Sequence, residues 1–112
     1  MAEVILTDEA VEWFDSLDEA EQDSIDKAIG RLQLLGVRLG FPHSSEIKSS
    51  QYAMRELRVG GSPLRALYIF DAARDAVVLC GGDKSGNEKR WYAENVSRAE
   101  RIWEQYLKEQ SR

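Results

Sequence analysis

The chain has 112 residues, with 15 lysines and arginines against 20 aspartates and glutamates, and it is 43% apolar and 9% aromatic. That is about one domain's length, so residues 1–112 are read as a single domain, too rich in core formers to be disordered. No stretch approaches the roughly 20 uncharged apolar residues of a membrane helix, and the start MAEVILTDEA is acidic where a signal peptide would be basic and then apolar. One cysteine, Cys80, and one histidine, His43, can make neither an internal disulfide nor a four-ligand zinc site. These features lead us to expect a soluble protein of a reducing cytosol, with no membrane partner, metal or cofactor.

Residues 3–6 (EVIL) form a short β-type run that ends at Thr7-Asp8, a natural helix cap. Ala10, Val11, Trp13, Phe14 and Leu17 then recur at helical spacing. Asp18 with Glu21 is the capping-box pattern, and Ile25, Ala28, Ile29, Leu32, Leu35 and Leu39 trace one buried stripe of a second, longer helix closed by Gly36, Gly40 and Pro42. Residues 1–30 hold ten acids and one base, so this hairpin is strongly acidic while the remainder carries 14 bases and 10 acids. Acids in first helical turns suit the macrodipole, so the asymmetry fits ordinary helix chemistry as well as a division of partners. The serine-rich stretch 41–51 reads as a connecting loop.

From Tyr52 the apolar period changes to two. Runs 54–59 (MRELRV), 64–71 (LRALYIFD) and 76–81 (AVVLCG) are separated by hairpin-length connections at 60–63 and 72–75, an antiparallel meander. After 81–87 (GGDKSGN), residues 88–110 are helical in composition, and one helix or two, broken near Asn95, both fit. The fold class is therefore α+β, with an N-terminal strand and helical hairpin packed on a small antiparallel sheet and a C-terminal helical segment.

Closure of the first hairpin through 60–63 sets Arg58 opposite Arg65, and closure of the second through 72–75 sets Arg65 opposite Gly82. Met54, Glu56, Arg58, Arg65, Leu67 and Ile69 then share one face, to which Lys84 also points. Opposed like charges cost roughly 0.2–1 kcal/mol. A bound anion such as phosphate would offset this, and so would a plain salt bridge from Glu56. Gly81 and Gly82 would leave room for a ligand to approach the sheet. His43 reads as a solvated or capping residue and Cys80 as a small core residue. Trp91-Tyr92, beside Lys89 and Arg90, suit either core packing or base stacking.

In this order, Glu56-Leu57-Arg58, Arg65 at the head of the next strand, Gly82-Asp83-Lys84-Ser85-Gly86-Asn87 and Arg90-Trp91-Tyr92 resemble the HigB-type toxins of the RelE superfamily, best over residues 35–106. The resemblance implies a RelE-like toxin of a type II toxin-antitoxin system. Such a toxin enters the ribosomal A site, cleaves messenger RNA without a metal, and is held inactive by a helix-turn-helix, HigA-like antitoxin. It implies Arg65 at the scissile phosphate, Arg58 as a basic strand residue lining the site, Lys84 as the basic residue after the last strand, and Tyr92, or in second place Trp91, as the aromatic that stacks or moves a proton. Glu56 is the nearest candidate base and Tyr92 a possible acid, while Arg55, Lys89, Arg90 and Trp91 are assigned to RNA binding. Two other readings accompany this one. The first is a ParE-like inhibitor of DNA gyrase without nuclease activity; the second is a non-catalytic antitoxin-binding module that docks through an exposed apolar face such as Met54, Leu67 and Ile69.

Overall fold

A computed structural model describes residues 1–111. Strand β1 (Val4–Leu6) leads into helices α1 (Asp8–Asp15) and α2 (Glu19–Leu35), a 3-10 turn (Gly36–Arg38), strands β2 (Ser44–Glu46), β3 (Met54–Arg58), β4 (Leu64–Phe70) and β5 (Ala76–Asp83), and helix α3 (Glu88–Gln110). The sheet order is β1-β5-β4-β3-β2. β1 runs parallel to β5, and the other neighbours are antiparallel. α3 is one unbroken helix, capped by the Asn87 side chain.

The helix starts follow their sequence signals. Asp18 and Glu21 close a reciprocal capping box. Thr7 caps α1 by accepting the Ala10 N–H at 3.2 Å, and its hydroxyl also donates to the Leu79 carbonyl at 2.7 Å. One buried side chain thus ties the start of α1 to β5. Thr7→Val keeps the shape, strips both partners, and is expected to cost about 1–2 kcal/mol in urea unfolding, with Thr7→Ser close to wild type. A Thr7→Val protein as stable as the parent would refute this coupling.

The sheet is the middle layer of three. On one side α1 and α2 pack Ala10, Ile25, Ala28 and Leu32 against Leu57, Ala66, Tyr68 and Val78. On the other, α3 packs Val96, Ala99, Ile102 and Trp103 against Met54, Leu67, Ile69, Val77 and Leu79. Met54, Leu67 and Ile69 are buried. They are therefore no open docking face, because the apolar stripe of α3 covers them, each fully buried large side chain contributing about 1.5–3 kcal/mol.

Three expectations are corrected. The buried stripe of α2 ends at Leu32, Leu35 at the helix end is exposed, Gly36 adopts φ 54° and caps the helix, and the 3-10 turn carries Leu39 into the core. The stretch 41–51 contains β2, whose Ser44 is fully buried, bonds the Tyr68 hydroxyl and accepts from Arg55 Nε at 2.9 Å. The β4–β5 register begins as expected, with Arg65 opposite Gly82, but shifts between Leu67 and Tyr68. Leu79 is the extra residue of that bulge, so Leu79 and Cys80 both turn toward α3. The cause is the turn: Asp71 Oδ1 accepts the N–H groups of Ala73 and Asp75, Arg74 takes φ 66°, and Phe70 pairs with Ala76.

Candidate functional site

The ends of β3 and β5 and the start of β4 meet at one corner of the sheet. Arg58 pairs with Arg65 across β3 and β4, and Arg65 with Gly82 across β4 and β5. Arg58, Arg65 and Lys84 line one open groove of about 480 Å³, together with Pro42, His43 and the turn Gly60-Gly61-Ser62-Pro63. The three cations brought together by register therefore share one surface.

Arg65 is 5% exposed and Glu56 is 7% exposed, so the opposed arginines are not a surface pair. Arg65 Nη1 donates to the carbonyls of Ser62 and Leu64, both at 2.8 Å. Its Nε lies 3.4 Å from Glu56 Oε1, an ionic contact without hydrogen-bond geometry. Glu56 also accepts from Tyr92 at 2.6 Å on Oε1 and from Ser45 at 2.8 Å on Oε2. Burial, and then the hydrogen bond to Glu56, hold the Tyr92 phenol well above its ordinary value, with Arg65 opposing them. Tyr92 is thus fixed as a protonated donor to the carboxylate. With Nη1 occupied and Nε turned to Glu56, Nη2 is the Arg65 nitrogen left for a ligand.

Arg58 is half-buried. Its backbone N–H donates to the His43 carbonyl at 2.8 Å, and its guanidinium lies 5.5 Å from the centre of the Phe41 ring. Lys84 stands 3.2 Å from Glu88, the first residue of α3. The site therefore holds two neutralising carboxylates, one buried and one exposed, for three cations.

The glycines do not open the sheet to a ligand. A Cβ on Gly81 would meet the Trp13 ring at 2.5 Å, and one on Gly82 would meet Trp91 Nε1 at 2.8 Å. Both glycines exist so that indoles can lie on the strand. Trp91 accordingly packs under α3, edge-on to Tyr92 at 5.0 Å. Lys89 and Arg90 are exposed on the first turn of α3, outside the groove lining, and Arg90 is paired with Glu94 at 2.8 Å. Arg55 alternates to the α1–α2 side of β3, bonds Ser44, and is separated by the sheet from Glu56 and Arg58. Conversely, His43 lines the groove and Phe41 lies against Arg58, roles the sequence does not indicate because no apolar alternation announces β2. Among the described residues no group of three or more His, Cys, Asp and Glu is placed to hold a metal ion. No helix among them is long and apolar enough to cross a membrane.

Residues 12–104 match the family model described as Phage derived protein Gp49-like (DUF891). The chain is 40% identical over 105 residues to HigB3 of Mycobacterium tuberculosis, a protein named as a toxin, covering 93% of this chain and 92% of that one. Among solved structures it resembles the isolated RelE toxin of E. coli, with a TM-score of 0.64 at 15% identity over 88% of this chain and 98% of that one. It also resembles the RelBE2 toxin-antitoxin complex of Mycobacterium tuberculosis, with a TM-score of 0.59 at 19% identity over 73% of this chain and 96% of that one. At these identities the structural likeness establishes the fold.

Proposed function

Because the chain belongs to the Gp49-like family and is a HigB-type toxin of the RelE superfamily, we propose that it is a ribosome-dependent messenger RNA endoribonuclease. The observation that carries this reading is the single groove lined by Arg58, Arg65 and Lys84. In the reaction the ribose 2′-hydroxyl attacks the adjacent phosphorus, the bond to the 5′-oxygen of the next nucleotide breaks, and a 2′,3′-cyclic phosphate and a 5′-hydroxyl remain. The attacking oxygen loses a proton and the leaving oxygen gains one. The phosphorane formed on the way carries extra negative charge, and a fixed guanidinium in a partly dry corner stabilises it without reorganising. Arg65 suits this role best, since its Nη1 and Nε are already held and Nη2 remains. Arg58 and Lys84 hold the flanking charge.

Glu56 and Tyr92 form one hydrogen-bonded unit, which supports a shared proton path and not an acid and a base on opposite sides of the substrate. Charge stabilisation and in-line positioning therefore supply most of the catalysis. The toxin acts in the cytosol, where ribosomes are, and is neutralised by a HigA-like helix-turn-helix antitoxin. The RelBE2 complex supports an antitoxin partner for this fold.

The test is to induce the chain in a bacterial host and map new messenger RNA 5′ ends beside Arg58→Ala and Lys84→Ala. Cuts within translated regions are expected, in register with the reading frame, and each variant should reduce them about ten-fold or more, because each removes one phosphate contact. Growth arrest with no such cuts would replace the nuclease by a gyrase inhibitor.

A further inference from the structure

Phe41 is 78% exposed and directly precedes Pro42 and His43, which line the groove that holds Arg58, Arg65 and Lys84. The aromatic residues elsewhere in the described chain are buried or half-buried. The residues that follow it, Pro42 and His43, line the groove, and Arg58, which lines it too, stands over the ring at 5.5 Å. The guanidinium covers only part of the ring, as the exposure shows. Along the groove the turn at Gly60 and Gly61 leaves open space, with nothing within 4 Å of a Cβ at either position. An open aromatic face one residue from a cationic groove is the arrangement by which single-stranded nucleic acid is held, phosphates on the cations and a base on the ring. A phosphate-only ligand would leave Phe41 in water at the cost of its hydrophobic area.

We infer that Phe41 is the shelf on which a nucleobase stacks while the neighbouring phosphate lies against Arg58, Arg65 and Lys84. This rests on the nuclease reading above. Arg58 then serves both partners, pairing with phosphate while its flat face stays against the ring. Because the base contributes only its π-face, the shelf ranks bases by stacking strength and adds a preference for purines at one position beside the cut.

The experiment is the same mapping of 5′ ends with Phe41→Leu and Phe41→Trp, at matched protein levels. Phe41→Leu should lower cutting by about ten-fold, within the range that loss of one stacked base produces, and flatten the base preference beside the cut. Phe41→Trp should restore both, and thermal unfolding should be unchanged in either variant. A loss acting only through a displaced Arg58 would lower all sites alike, so an unchanged base preference overturns the shelf. Wild-type cutting by Phe41→Leu, or failure of Phe41→Trp to rescue, also overturns it. Unchanged cutting with loss of neutralisation by the antitoxin would reassign Phe41 to a protein contact. Absence of cuts from the wild type would remove the nuclease reading itself, and the shelf with it.

Discussion

Arg65→Ala is expected to abolish messenger RNA cutting and to destabilise the fold by about 3 kcal/mol, lowering the thermal midpoint by roughly 10 °C. The functional loss follows from removing the one guanidinium fixed at the head of β4. The stability loss follows from burial: the Arg65 and Glu56 side chains are 7% and 9% exposed. Deleting the arginine leaves Glu56 charged in a dry corner, with only Tyr92 and Ser45 to hold it, and orphans the carbonyls of Ser62 and Leu64. Pairing the change with Glu56→Gln removes the stranded charge. The double variant should therefore be about 1–2 kcal/mol more stable than the sum of the single changes, and just as inactive. Urea unfolding of the four proteins measures this coupling. Strict additivity would mean that the 3.4 Å contact carries no interaction.

Periodicity places Arg65 on one face with Glu56 and Arg58 but does not show whether a helix covers that face, and Arg65 is only 5% exposed. The pairing of Arg58 with Arg65 was legible, since a four-residue turn fixes the sum of cross-strand positions. The caps of α1 and α2 were legible because Thr7, Asp18 and Glu21 each have a specific backbone partner. β2 was hidden, because it is held by the hydroxyl of Ser44 and not by apolar alternation. The bulge at Leu79 was hidden because it originates in the Asp71 turn, several residues away. The groove inherits both features: β2 brings His43 to Arg58, and the register next to Gly82 survives only because the shift lies on the far side of Leu67.

The glycines of β5 give the second large effect. A Cβ at Gly81 would lie 2.5–2.6 Å from three atoms of the Trp13 ring, closer than van der Waals contact permits. Trp13 is the part-buried indole of α1 against the core that holds Ala66 and Val78, so it cannot yield by a rotamer change alone. Gly81→Ala should thus lift α1 from β5 and cost about 2–3 kcal/mol, at the upper end for overpacking. At Gly82 only Trp91 Nε1 comes within 3.0 Å, and Trp91 sits in the first turn of α3, where a small shift is easier. Gly82→Ala should cost about 1 kcal/mol and act chiefly on function, because moving Trp91 moves Tyr92 away from Glu56. Urea unfolding orders the two variants, and Trp13→Leu distinguishes the cause. If the clash is the source, Gly81→Ala should be far milder in a Trp13→Leu background than in the wild type. If its cost is the same in both, backbone conformation at Gly81, and not the indole above it, sets the requirement for glycine.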